Sequence, residues 1–174
     1  MIGELDRANS IITEFLSVAR NKPTDLQCQN INEILQNLFP LLEADTFVQD
    51  KKIIFEAKTT PDILLNKKEI SQLVLNLCRN GLEAMQEGGT ITIRIYPDDE
   101  QVVLSIKDEG SGIPLEYMEK LGIPFFTTRE NGTGLGLATC YSIAERHNAK
   151  IEVESSDRGS TFFVRFPVLR IVNN

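Results

Sequence analysis

Residues 108–137 read DEGSGIPLEYMEKLGIPFFTTRENGTGLGL, and the rest of the chain is organised around them. The stretch opens with an acidic residue and two spaced glycines, Asp108, Gly110 and Gly112. It closes with three alternating glycines, Gly132, Gly134 and Gly136, running into an apolar, helix-compatible segment. Glycine at such points lets backbone approach a ligand where a side chain would clash. A glycine loop feeding a helix start leaves N–H groups unpaired beside the positive end of the helix dipole, which is a ready anion site. The GxGxG spacing fits neither GxxxxGK[ST] nor a dinucleotide fingerprint. The roughly 20 residues between the glycine clusters read as neither strand nor long helix, as lids and binding loops do.

Working outward, the chain has 174 residues, 41% hydrophobic and 25% charged, which suits one soluble globular domain plus an appendage. Eighteen basic against 25 acidic residues give a net charge of −7, with no basic stripe to neutralise a nucleic-acid backbone. Cys28, Cys78 and Cys140 are odd in number and lack metal spacing, so they read as reduced thiols of a cytoplasmic protein. No signal peptide and no long apolar run is present. The chain begins inside a helical pattern, as a fragment of a longer parent would, and such a parent has room for a membrane anchor.

Ile2, Leu5, Asn9, Ile12, Leu16 and Ala19 alternate three and four apart. This predicts an amphipathic helix over residues 1–21 that needs a partner surface, either its own domain or a helical bundle. An extended entry strand is expected at 24–30. Helical spacing follows from Ile31 to about Val48, with a kink or break at Pro40. A strand at Lys52–Lys58 precedes the turn Thr60-Pro61-Asp62, and a helix runs from Lys67 to Met85. Strands are expected at 90–96 and 102–107 around the turn Pro97-Asp98-Asp99. A helix at about 134–147 and strands at 150–155 and 160–168 complete the pattern. Intermixed helices and hairpin strands predict an α+β, two-layer sandwich: a mixed, mostly antiparallel sheet with helices on one face.

On the Lys67–Met85 helix, Ile70, Leu73, Val74, Leu77, Gly81 and Ala84 form the stripe facing the sheet. Asn76, Asn80 and Glu83 share a bordering stripe. Asparagine is a mediocre helix former, so two on one face suggest a polar task. Amide oxygens are hard ligands suited to Mg²⁺, which takes one or two protein oxygens plus phosphates and water.

Taken together, the asparagine helix, the strand ending in DxGxG, the lid and the glycine loop make one nucleotide site. Here the chain resembles the ATP-binding catalytic domain of bacterial two-component sensor histidine kinases, of the Bergerat (GHKL) fold. Residues 75–84, LNLCRNGLEA, are similar to that family's N box, and 108–113, DEGSGI, to its G1 box. Residues 124–128, PFFTT, resemble the F box, 132–137, GTGLGL, the G2 box, and 159–162, GSTF, the closing GTxF element. The lid wording resembles sporulation-type kinases in particular. Coverage runs from about residue 30 to 168, and residues 1–22 are similar to the second helix of the dimerisation and phosphoacceptor hairpin. Residues 23–174 would then be the catalytic domain, with its lid at about 113–131. Two departures stand out: Gly81 replaces the usual Ala, and Arg129 stands where Lys is common. The phosphoacceptor histidine motif is absent.

The resemblance implies ATP and Mg²⁺ as cofactors, with Asn80 as protein ligand to the metal. Asp108 would accept from the adenine amino group. The nucleotide-binding set would further include Gly110, Gly112, Phe126, Thr127, Thr128, Gly132, Gly134, Leu135, Gly136, Leu137 and Thr161. Arg129 would serve as a mobile counter-charge among the catalytic residues, with Asn76 and Asn80. In hydrolysing relatives of this fold a glutamate stands at the Asn76 position as general base, and an amide cannot accept a proton there. That favours transfer to a histidine on a hairpin absent from this chain over the alternatives, an ATPase clamp or a non-catalytic interaction module. The implied partners are the parent's hairpin and, indirectly, a response regulator, with the full-length parent expected as a homodimer. His147, the only histidine, falls in the last turn of its helix, is followed by Asn148 rather than an acid, and is expected to cap that helix.

Overall fold

The computed structural model describes residues 12, 15, 16, 24–129 and 132–168. The helix expected over residues 1–21 therefore lies mostly outside the described residues; Ile12, Phe15 and Leu16 are helical. The expected domain boundary near residue 22 lies outside them as well.

Strand β1 (Gln27–Gln29) enters and hands over to α1 (Ile31–Val48) through Asn30, whose side chain accepts from the Asn32 N–H at 3.1 Å. Ile31, Ile34, Leu35, Leu38 and Leu42 form the buried stripe of α1. The helix runs through Pro40 without ending, contrary to the break allowed by sequence. A mid-helix proline costs about 3 kcal/mol, while burying Leu38 and Leu42 on either side returns roughly 1.5–3 kcal/mol each, so packing wins.

Strand β2 (Lys52–Ala57) is followed by β3 (Ile63–Leu65), an element without a sequence expectation, which pairs antiparallel with β1 in a two-stranded sheet. Helix α2 (Lys67–Ala84) starts at Asn66, whose side chain accepts from the Glu69 N–H at 3.1 Å. Strands β4 (Thr90–Asp98) and β5 (Gln101–Lys107) form a hairpin turning at Asp99, which has φ of 50°. The turn lies later than the Pro97-Asp98-Asp99 expectation, because Pro97 pairs with Val102 inside the ladder. The short α3 (Leu115–Met118) gives the lid one helical turn. Helix α4 (Gly136–Arg146), β6 (Lys150–Ser156) and β7 (Gly159–Pro167) follow.

The main sheet has the order β2-β4-β5-β7-β6, with β2 parallel to β4 and every other pair antiparallel. Register puts Ile93 opposite Ile106, and Ile106 opposite Phe162, so alternate residues of the three central strands share one face. Those residues join the buried faces of α1, α2 and α4 in one core. The outer face is covered by polar groups instead: Arg165 donates to Asp98 and Glu152, both at 2.8 Å, across the buried Val103. The expected two-layer α+β sandwich with its mixed sheet is the observed fold.

Candidate functional site

Asp108 follows the last residue of β5 and is held by β7. Its N–H donates to the Ser160 carbonyl at 2.9 Å, and its Oδ1 accepts from the N–H groups of Ser160 at 3.2 Å and Gly110 at 2.8 Å. Both backbone bonds land on one carboxylate oxygen, which leaves Oδ2 to the cleft that Asp108 lines. Burial pushes the Asp108 carboxyl above its usual range, while the two N–H groups and the nearby Arg129 pull it back. Gly112, at φ of 74°, turns the chain hard against β6: a Cβ there would lie 1.8 Å from the Ser156 carbonyl oxygen. No other residue fits that approach.

Helix α2 supplies the opposite wall of the cleft. Its buried stripe faces the sheet, so Asn76, Asn80 and Glu83 fall along the cleft edge. Asn76 Nδ2 donates to the Gly136 carbonyl at 3.2 Å and so ties α2 to the first turn of α4. Asn80 Oδ1 accepts from Arg129 Nη1 at 3.1 Å, and the buried Asn80 Nδ2 has no hydrogen-bond partner among the described residues. Arg129 Nη2 also donates to the Asn80 backbone carbonyl at 2.8 Å, and Nη1 pairs with Glu83 Oε2.

The third wall is the start of α4. No side chain caps this helix, and its first hydrogen bonds across a turn leave the leading N–H groups free of intrahelical acceptors. A Cβ added at Gly136 would meet no protein atom, so what this glycine keeps open is the cleft itself. The positive end of α4 therefore points into a space shaped for a group that comes close to backbone.

The cleft has a volume of about 740 Å³, within the range of small-molecule sites. It brings together Asn76, Asn80, Asp108, Gly112, Phe126, Thr127, Thr128, Arg129, Gly132, Gly134, Gly136 and Leu137 from the sequence expectation. Three expected residues do not line it. Gly110 lies behind, bonded to Asp108. Leu135 is fully buried. Thr161 alternates away from Ser160 and Phe162, which line the cleft in its place. Tyr117 and Leu121 also line it, and Tyr117 packs on Phe126 at 5.7 Å between ring centres, with Lys120 over both rings. Strand alternation around Thr161 could have named Ser160; nothing local in the sequence names Tyr117.

One residue of the lid links outward. Phe125 is 59% exposed at φ of 67°, donates its N–H to the Gly134 carbonyl at 3.0 Å, and stacks on Phe15 at 5.9 Å. His147 is buried at the far end of α4 as its C-cap. Its Nε2 accepts from the Asn66 N–H at 3.0 Å, and its Nδ1 donates to the Ile143 carbonyl at 2.8 Å. Both nitrogens are spent by a neutral ring, so the capping role is a hydrogen-bonding one and not a cationic one.

A model of the family "Histidine kinase-, DNA gyrase B-, and HSP90-like ATPase" matches residues 66–170. Sporulation kinase C of Bacillus subtilis (strain 168) is 33% identical over 171 residues, covering 97% of this chain and 40% of that kinase. Sensor histidine kinase ZraS of Escherichia coli (strain K12) is 32% identical over 170 residues, covering 97% of this chain and 37% of ZraS. The chain thus spans well under half the length of these relatives. Among solved structures, the catalytic domain of histidine kinase ThkA aligns with a TM-score of 0.76 at 32% identity, covering 83% of this chain and 96% of that one. ThkA in complex with the response regulator TrrA aligns at 0.81 and 29% identity, over 97% of this chain and 49% of that one.

Proposed function

Since this chain belongs to the histidine kinase-, DNA gyrase B- and HSP90-like ATPase family, on its histidine kinase branch, we propose that the cleft binds Mg²⁺-ATP and presents its γ-phosphoryl group to a histidine on a separate hairpin. The observation that carries this reading is Asp108. Its Oδ1 is taken by two backbone N–H groups and the residue lines the cleft, so its second carboxylate oxygen would serve there as an acceptor-only group, complementary to the amino edge of adenine.

The triphosphate then extends toward the uncapped start of α4, where Gly132, Gly134 and Gly136 bring N–H groups to it. Asn80 offers the amide oxygen for Mg²⁺, a reading supported by its Nδ2, which has no hydrogen-bond partner among the described residues. Among the described residues no group of three or more His, Cys, Asp or Glu gathers to hold a metal, so the remaining oxygens would come from phosphate and water. Bound there, Mg²⁺ supplies charge neutralisation and an anchor for the phosphates. The chain itself supplies position: phosphoryl transfer asks little covalent help from protein.

Asn76 argues for transfer over hydrolysis. Its Nδ2 is committed to Gly136, and an amide has no basicity with which to activate water. The Phe15–Phe125 stack supports residues 1–22 as part of a hairpin helix that packs against the lid, with residues 23–174 as the catalytic domain. No helix among the described residues is long and apolar enough to cross a membrane; work at a cytoplasmic face, with a response regulator as the final acceptor, completes the proposal.

The test is transfer itself. The chain is mixed with Mg²⁺-ATP labelled at the γ-phosphate and a phosphoacceptor hairpin of a sporulation-type kinase. Acid-labile label should reach the hairpin and not His147. Binding of ATP with rapid release of free phosphate, and no label on the hairpin, would instead support a hydrolysing clamp.

A further inference from the structure

A carboxylate is a poor neighbour for a triphosphate, yet Glu83 lines the cleft one helical turn beyond Asn80. Its partner accounts for it. Arg129 lies across α2, with one guanidinium nitrogen shared between Asn80 Oδ1 and Glu83 and the other on the Asn80 carbonyl. Two bonds fix the backbone of Arg129. Its N–H donates to Thr127 Oγ1 at 3.1 Å, and its carbonyl accepts from the Gly132 N–H at 3.2 Å.

The oxygen that Arg129 occupies is the one proposed above for Mg²⁺. A divalent cation at its short bonding distance and a guanidinium on the same amide oxygen repel strongly, so the two uses exclude one another. We propose that Glu83 is a positioning residue that parks Arg129 on α2, and that binding of Mg²⁺-ATP exchanges one cation for another at Asn80. In that exchange Arg129 is released from Asn80 and Glu83 and its planar fork turns to the phosphate oxygens, which it matches as well as a carboxylate. No covalent bond is made or broken. The parked position keeps the lid's counter-charge at the mouth of the site and out of the phosphate space until a stronger cation claims Asn80. This rests on the nucleotide reading of the cleft and adds a role for Glu83 that the reading does not require.

The experiment is a double-mutant cycle on ATP affinity in the presence of Mg²⁺, by fluorescence titration of the parent, Glu83→Gln, Arg129→Met and the double variant. Glu83 is 47% exposed, so Glu83→Gln should fold normally. If Glu83 acts by holding Arg129, its removal frees the guanidinium and tightens ATP by about threefold in the parent background, the scale of one half-exposed ion pair. In the Arg129→Met background the same change should then do much less. If Glu83 merely repels the triphosphate, removing it should help at least as much once Arg129 no longer masks it, and that result overturns the proposal. Failure of the parent to bind ATP at all would overturn the nucleotide reading itself, and the parking role with it. A parent that binds while the cycle is additive would sink only the role of Glu83.

Discussion

Asp108→Asn is the sharpest perturbation of the site. Asparagine is nearly isosteric and its amide oxygen can keep the bonds from Gly110 at 2.8 Å and Ser160 at 3.2 Å. That fixes the amide, so its NH₂ group takes the place of Oδ2 in the cleft. The fold should not suffer. Burial raises the carboxyl above its ordinary range, which means that folding disfavours the ionised form, and above that range the charge costs stability. Removing it leaves the melting temperature unchanged or slightly higher. Binding should fall: a charge-assisted hydrogen bond to the adenine amino group is replaced by two donors face to face. The lost bond and the unpaired donors together come to about 2–4 kcal/mol, or roughly 30- to 700-fold in Kd. Inosine triphosphate, which carries a carbonyl at that purine position, meets the new NH₂ as an acceptor and should bind the variant better than it binds the parent. Calorimetric titration with both nucleotides, beside a thermal melt, checks this. Equal losses for both nucleotides at an unchanged melting temperature would refute Asp108 as the base-reading group.

Other expectations follow from the same contacts. Burial lowers the His147 pKa below 6.5, with its bond to Ile143 and the nearby Glu69 opposing that shift and Arg146 reinforcing it. Its share of stability is therefore complete above about pH 6.5 and lost as pH falls toward the folded pKa, by up to about 1.4 kcal/mol per pH unit. Urea melts from pH 7.5 to 5.5 should show a steeper loss for the parent than for His147→Gln; parallel slopes would count against it. Gly81→Ala gains roughly 1 kcal/mol of helix propensity, but its Cβ would stand 3.0 Å from Asp108 Cβ and 3.3 Å from Ile91 Cδ1. ATP affinity should drop more than stability, and a variant binding ATP like the parent would show that the contact yields. Burial pushes the Cys78 thiol up to about 12 and that of Cys140 higher still, whereas Cys28 is exposed. A thiol reagent at pH 8 should label one cysteine quickly in the folded chain and three in urea; rapid labelling of all three without urea would contradict the burial.

The helical stripes and the strand alternation were readable because burial repeats locally: Ile70, Leu73, Val74 and Leu77 announce the inner face of α2, and Ile91, Ile93 and Ile95 that of β4. The polar side of α2 followed from the same geometry, which is why Asn76, Asn80 and the glycine loop meet as expected. What escaped was set by distant partners. Three residues at 63–65 make a strand only because 27–29 lie beside them. Pro40 looked like a break because its cost is local while its compensation, Leu38 and Leu42 in the core, is tertiary. Arg129 is held by Asn80, 49 positions away, and no periodicity reports that. Thr161 belongs to the motif, yet period-two alternation hands the cleft to its neighbours Ser160 and Phe162.

One bond has a consequence for how the protein is made. The oxygen that orients Asp108 is held by Ser160, 52 positions later. The asparagine helix and the glycine loop both precede β7 in the chain, so, on the nucleotide reading of the cleft, the group proposed to read the base is the one whose alignment waits for β7. Closing that long loop must precede any gain from the pairing. A chain still growing should therefore hold adenine nucleotides no better than other polyphosphates. On that reading, selectivity for the base arrives with β7.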